Sequence, residues 1–354
     1  MKLYRRIFYR PFFIRLTHWE FWSFGMIYGW ILPYWFYLCL KARSFFFFSA
    51  SNPSIEYGGF ANESKEDIYP LIPPGITPKS IFFKQGADAA YVASQLQKQG
   101  MNLPLVGKPN KGGKGKGVKI LRNAEALNHY VQHAIVDFHI QELVPYEKEV
   151  GIFYYRIPGQ EKGKITGIVR KEFLSVTGDG KSTVRQLIDR NPRAILHLKS
   201  ISKMHPGLLE KVLANNEIYV LVPYGNHARG AMFKDDSHLI DEQLEDMMND
   251  TCKKIEGFYF GRLDIKYRDW NELKQGKHFS IIEVNGAGSE PTHIYDPKHS
   301  IFFAWKELTR HWKILYKISR INHRLGHPYL SWKEGTNMFR QDKINISLLE
   351  KMTD

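Results

Sequence analysis

The chain has 354 residues, 43% hydrophobic and 24% charged, with no internal repeat or low-complexity block, so it is a folded protein of two or three domains rather than a disordered or repetitive one. Its net charge of +14 points to anionic partners: nucleotides, phosphates, nucleic acid or an acidic membrane face. Only Cys39 and Cys252 are present, which rules out a zinc-spaced cluster or disulfide framework and favours a reducing compartment.

Residues 21–40, FWSFGMIYGWILPYWFYLCL, carry no charge. As a single helix they would extend roughly 30 Å, the thickness of a bilayer core. Arg5, Arg6, Arg10 and Arg15 precede the stretch, and Lys41 and Arg43 follow it. No small-residue cleavage site follows, which argues against a signal peptide. Trp, Tyr and Phe dominate it and Pro33 interrupts it, which suits an interfacial or re-entrant segment better than a full span. An aromatic core or partner-binding element stays open beside these readings. Residues 1–50 are thus expected to form an aromatic, basic, membrane-associated segment on the cytoplasmic side, peripheral, re-entrant or single-span.

Residues 51–78 read as a connector, punctuated by Asn-Pro, Gly-Gly and Pro-Pro. From residue 79 to 300 short strands and helices alternate, which implies an α+β or α/β body. SIFF, PLVGKP, DFHIQELV and EVGIFYYRI are strands, and TGIVRKEFLSV reads as one more. DAAYVASQLQKQ, EALNHYVQHA, VRQLIDR and DEQLEDMMNDTCKKIEG are helices, and FGRLDIKYR and HFSIIEVNG are late strands.

Within this body, LPLVGKPNKGGKGKGVKIL places Lys108 at the end of a strand, before a loop with Gly112, Gly113, Gly115 and Gly117 interleaved by Lys114 and Lys116. Glycines let backbone N–H groups approach phosphate oxygens, and lysines neutralise them. The spacing is not that of a Walker A loop, and a flexible basic hairpin is the plain alternative. Gln141 and Glu142 close a strand and Glu149 opens the next. Two carboxylates across a hinge can meet an adenine amino group and a ribose diol, or simply face water. Arg262 and Asp264 share one strand face, as do Glu283 and Asn285. If the two strands pair antiparallel, Asp264, Glu283 and Asn285 converge as hard oxygen ligands suited to magnesium. A hairpin end in water is the alternative for Glu283 and Asn285.

Taken in order, the strand Lys-Pro, the basic glycine loop, the Gln-Glu hinge with a second Glu seven residues on, Arg-x-Asp and Glu-x-Asn resemble the ATP-grasp superfamily of carboxylate–amine ligases. The likeness runs from about Lys84 to Pro297. VTGDGKSTVRQLI and GNHARGAMFKDD are similar to segments of the cyanophycin and glutathione synthetase branch, and EVNGAGSEP to the end of D-alanine–D-alanine ligase. The resemblance implies an ATP-grasp fold, two α/β lobes clasping ATP, within an α+β chain. It implies ATP and Mg²⁺, with two ions and Mn²⁺ as a substitute, and an acylphosphate intermediate. By position, Lys108 and the less secure Lys84 would contact the phosphates, with Gly113, Lys114, Gly115 and Gly117 over them. Gln141, Glu142, Leu143 and Val144 would sit at the adenine and Glu149 at the ribose. Asp264, Glu283 and Asn285 would hold magnesium, and Arg262 and Asn226 would stabilise the transferred phosphoryl group. Relatives begin with a Rossmann-like domain, which residues 1–78 do not resemble. That departure points to a carboxylate or amine substrate that is lipid-linked.

Residues 301–354 are expected to form a C-terminal helical tail. Phe302, Trp305, Leu308, Trp312, Leu315 and Ile318 recur at helical spacing, with Lys306, Arg310, Lys313, Lys317, Arg320 and Arg324 between them. This amphipathic helix would either lie on anionic lipid or pack on the body with a solvated basic face. Three other functions compete: an ATP-grasp kinase or phosphotransferase, a binding-only protein with a decayed site, and a basic nucleic-acid-binding protein. No nucleic-acid partner is expected, since no such module is recognisable.

Overall fold

The computed structural model describes residues 11–353 apart from Lys114 and Tyr224. Of the expected features, Arg5, Arg6, Arg10 and Lys114 lie outside the described residues. The strands are β1 (Ser80–Phe83), β2 (Leu105–Pro109), β3 (Lys119–Leu121), β4 (Phe138–Glu142), β5 (Lys148–Tyr155), β6 (Lys164–Glu172), β7 (Leu174–Thr177), β8 (Ile218–Val222), β9 (Met232–Asp235), β10 (Phe260–Tyr267) and β11 (Phe279–Asn285). The chain divides into two compact units, each drawn from three stretches of sequence: residues 33–168, 237–291 and 308–354 in the larger, the remainder in the smaller.

The larger unit holds two antiparallel sheets. One has the order β1-β4-β2-β3 and is backed by the helices Ala89–Lys98 and Ala124–Gln132. Val92, Leu96, Leu127, Tyr130 and Val131 of those helices pack with Phe83, Leu105, Phe138 and Ile140 of the strands. Asp88 and Asn123 start the two helices by accepting from Tyr91 N–H and Ala126 N–H, which satisfies donors that helix geometry leaves free. The other sheet places β11, β10, β5 and β6 side by side. One face buries Val150, Ile152, Leu263 and Ile265 against Leu244, Met248 and Cys252 of the helix Glu242–Lys253. A second core joins Phe153 and Phe260 to Leu38, Phe47, Phe48, Leu315 and Ile318.

In the smaller unit, β7 and β8 form an antiparallel ribbon, and the C-terminal half of β6 pairs with β9. Leu174, Val176 and Leu221 pack with Val184, Ile188, Ala194 and Ile201 of three short helices. Trp19 Nε1 donates to His299 O (2.7 Å) and Trp305 Nε1 to Ile27 O (2.7 Å), which ties the N-terminal stretch into this unit.

Three expectations are corrected here. Residues 21–40 are not one helix: Phe24–Tyr28 and Leu32–Ala42 are separated by a turn. Pro33 sits in the first turn of the second helix, where its missing N–H costs nothing, so it starts a helix rather than interrupting one. Among the described residues no helix is long and apolar enough to cross a membrane. The stretch TGIVRKEFLSV is two strands, because the chain leaves β6 at Phe173 and begins the β7–β8 ribbon.

The C-terminal helix Ile301–Arg324 forms as expected. Most of its apolar side is covered: Leu308, Leu315 and Ile318 are buried and Trp312 packs edge-on against Trp35, while Phe302 at its start is exposed. All six expected basic positions on it are exposed. It is therefore a helix packed on the body with a solvated basic face. A further helix, Trp332–Thr353, follows in a stretch whose polar sequence gave no chemical signal.

Candidate active site

β10 and β11 pair antiparallel with Arg262 opposite Asn285 and Asp264 opposite Glu283. Directly opposite residues share a sheet face, so these four side chains lie together, as the sequence predicts. The register shifts just beyond, where Ile265 pairs with Ile281 and Ile282 has no partner. That bulge has two effects. It lets Ile281 enter the core while Glu283, two residues on, faces the site. It also leaves Ile282 O to accept from Lys108 Nζ (3.4 Å) and Tyr69 Oη (3.5 Å). On the other side of β10 the register is regular, and Glu149 lies opposite Lys266, on the same sheet face as Asp264 and Arg262.

Arg262 Nε donates to Asp264 (2.9 Å), and its Nη1 donates to Glu290 O (3.2 Å) in the loop after β11. Lys108, near the end of β2, is buried; its Nζ donates to Gln141 Oε1 on β4 (2.6 Å) and lies 4.9 Å from the Tyr69 ring centre. Burial, helped by the charge of Lys65, pulls Lys108 down to about 7. His139, buried on the neighbouring strand, is pulled down to about 3 by burial and then by Lys108 and Lys65. It therefore stays uncharged beside them, bonded to Ser80 Oγ (3.1 Å) and Asn110 Oδ1 (3.2 Å).

The glycine loop joins β2 to β3, an antiparallel hairpin as expected. Gly115 and Gly117 adopt left-handed backbone (φ 68° and 70°), and a Cβ on Gly117 would meet Pro109 Cγ at 2.7 Å. Gly113 has open space around it. Glu142 lies half-buried at the end of β4, its Oε2 accepting from Lys79 N–H (3.3 Å), and Leu143 and Val144 follow it half-buried. Lys84 is different: its side chain is 77% exposed and paired with Asp137 (3.2 Å). Asn226 belongs to the smaller unit, where its carbonyl accepts from Arg229 N–H and Ala231 N–H.

The sequence reading missed the residues between 51 and 78. Asn52, fully buried, donates to Gly58 O and Phe260 O and accepts from the N–H groups of Tyr259 and Phe260. Gly58 O and Gly59 O accept from Ala287 N–H and Gly288 N–H, so this stretch lies along the loop that follows Asn285. Glu63 Oε1 accepts from Gly286 N–H (2.6 Å), and burial, reinforced by Glu283, raises its carboxyl to about 7. Lys65 Nζ lies 3.8 Å from Glu283 Oε1. Glu63, Lys65, Tyr69, Gly112 and Glu283 line one small cleft. The Asn-Pro and Gly-Gly dipeptides did mark these turns, but nothing in them showed which loop they would clasp.

The donor set fits a divalent cation. Asp264 and Glu283 face each other, and Asn285 is a third oxygen-bearing side chain on that face. The Asn285 amide nitrogen is buried without a hydrogen-bond partner; as placed it is a donor that calls for an acceptor such as a phosphate oxygen, and with the amide turned over its oxygen would face the cation instead. Among the described residues no group of three or more His, Cys, Asp or Glu gathers as a metal cluster, so a cation here relies on the amide and on oxygens from a ligand.

No family model matches the chain. It is 28% identical over 280 residues to the glutathione biosynthesis bifunctional protein of Streptococcus mutans, an alignment covering 69% of this chain and 36% of that protein. Structural neighbours are D-alanine–D-alanine ligase from Bacillus anthracis (17% identity, TM-score 0.43, 74% of this chain and 69% of that one) and the ATP-grasp ligase PsnB (12% identity, TM-score 0.36, 71% and 59%). The chain thus spans about a third of the curated relative it matches. Against the ATP-grasp reading of the sequence, Lys108, Gln141, Glu142, Glu149, Arg262, Asp264, Glu283 and Asn285 all fall in the larger unit.

Proposed function

We propose that the protein is an ATP- and Mg²⁺-dependent ligase that joins a carboxylate to an amine. The observation that carries this is the β10–β11 register, which sets Arg262, Asp264, Glu283 and Asn285 on one face with Lys108 beside them. In the reaction a carboxylate oxygen displaces ADP from the γ-phosphorus to give an acylphosphate. The amine nitrogen then attacks the acyl carbon, phosphate leaves with the C–O bond electrons, and the amine loses its proton. Asp264, Glu283 and Asn285 would hold two divalent ions, Mg²⁺ or Mn²⁺, which when bound offset the charge of the transferring phosphoryl group. Lys108 would carry a proton, and so a positive charge, once phosphates are bound beside it, and Arg262, braced by Asp264, keeps a guanidinium beside them. Glu142 and Glu149 supply acceptors for adenine and ribose. Asn226 is assigned to the acylphosphate only by its place in sequence.

The test is ATP consumption by the purified chain with panels of carboxylates and amines, and mass detection of the adduct. ADP and phosphate should appear only when both substrates are present. ADP with a stable phosphorylated acceptor and no adduct would instead make the protein a phosphotransferase.

The patch formed by Phe36, Leu40, Phe45 and Trp332 supports a second reading. These side chains are exposed, Phe45 packs on Phe36 and Trp332, and Lys41, Arg43 and Lys333 stand exposed around them. Aromatic and basic groups mixed in this way suit an anionic interface. We infer peripheral attachment at the cytoplasmic membrane face, with one substrate lipid-linked.

A further inference from the structure

The ATP-grasp reading of the sequence gives Lys84 as the second lysine on the nucleotide. Its side chain is 77% exposed and its ammonium is paired with Asp137 (3.2 Å), at the far end of β1 from the Ser80–Gln141 pair. The lysine that does share the site with Lys108 is Lys65, from a stretch with no counterpart in the motif order. Its side chain is 13% exposed, and its Nζ lies 3.8 Å from Glu283 Oε1.

Lys65 is held there by its own backbone. Asn110, buried two residues after Lys108, accepts Lys65 N–H at its carbonyl (3.2 Å) and Glu66 N–H at its Oδ1 (2.9 Å). Ser64 pairs with Lys111 as a β-bridge and caps the turn by accepting from Asp67 N–H. The strand that carries Lys108 therefore also fixes Lys65. Lys65, Lys108 and the Arg262 guanidinium then stand near the Asp264 and Glu283 carboxylates, of which Asp264 is already taken by Arg262. Lys65 Nζ also donates to Asn110 O (3.4 Å), and its 3.8 Å separation from Glu283 is long for a charge-assisted hydrogen bond, so these two partners do not use all three of its donors. A polyphosphate would.

We propose that Lys65 is the second phosphate-contacting lysine of this protein, taking the role that Lys84 has in the motif order. The assignment rests on the nucleotide reading above. It also gives residues 51–78 a binding task.

Calorimetric titration of the full chain with Mg-ATP tests it. Lys65→Met should weaken binding by about tenfold or more, the loss expected for one hydrogen bond to a charged group. Lys65→Arg, which keeps the cation, should recover most of it, and Lys84→Met should cost much less. If Lys65→Met does not fold, by circular dichroism and melting, Lys65→Gln takes its place. Equal binding by the wild type and the Lys65 variants, or a larger loss at Lys84, overturns the assignment and leaves the nucleotide reading standing. No binding by the wild-type chain overturns both.

Discussion

Glu283 joins two halves of the site: it faces Asp264 across the ladder and Lys65 across the cleft. Glu283→Gln keeps its shape and removes its charge. ATP turnover should fall at least ~100-fold, the scale of losing one charged group that stabilises the transferring phosphoryl, with an unchanged melting curve. Undiminished turnover would remove the metal assignment. Lys108 allows a pH test. Its folded value of about 7, set first by burial, leaves it mostly neutral at pH 8. Phosphates favour the ammonium, so Mg-ATP binding at pH 8 should take up a proton. Affinity should then drop about tenfold per pH unit just above 7, because the free chain must gain the proton that the complex holds. Titrations in two buffers of different ionisation heat would read that uptake directly. Affinity flat from pH 7 to 9 would place Lys108 away from the phosphates. At this scale the sequence was most informative, because Arg-x-Asp and Glu-x-Asn need only strand alternation to converge. Lys65 and Glu63 were hidden, since no periodicity links a turn to a loop more than two hundred residues away.

Strands and long helices were legible because each carries its own pattern. The helix Glu242–Lys253 has apolar residues at helical spacing and an Asp241 cap, and the hairpin β2–β3 has its glycines. The stretch 21–40 misled because an unbroken apolar run says how much is buried, and not in what shape. Glu20, just before it, is buried with Arg193, and His227 Nε2 lies 3.1 Å away. Burial alone would raise Glu20, but the hydrogen bond to His227 and the charge of Arg193 leave it lowered and ionised. Arg193 in turn donates to Ala231 O (3.1 Å). Glu20→Ala would strand that guanidinium in the core of the smaller unit, and urea unfolding should show a loss of about 3–5 kcal/mol. A loss under 1 kcal/mol would mean that water replaces the carboxylate there.

For the molecule as a whole, composition foretold a charge and left its use open. The +14 balance, the exposed basic face of the helix Ile301–Arg324 and the Phe36–Leu40–Phe45–Trp332 patch favour an anionic surface as partner. Removing the N-terminal stretch would be a poor test, since Ile14, Ile27, Leu38 and Cys39 are buried core residues. The paired variant Leu40→Ser, Trp332→Ser changes only exposed positions. The wild type should sediment with vesicles containing phosphatidylserine and the variant should do so several-fold less, while both bind neutral vesicles weakly. Equal sedimentation would take the patch out of the account. Each compact unit takes three separated stretches of the chain, a division that no linear pattern of composition announces.

The glycine loop is fastened from a distance. Asn345 Nδ2 donates to Lys111 O (3.1 Å), and Lys116 Nζ donates to Glu350 (2.7 Å), in each case across 234 residues. During synthesis the loop leaves the ribosome long before the helix that holds it, by roughly 10–50 s at ordinary elongation rates. A nascent chain can thus complete both sheets of the larger unit while its glycine loop is still untied. The helix that fastens this loop is made after every strand of the larger unit.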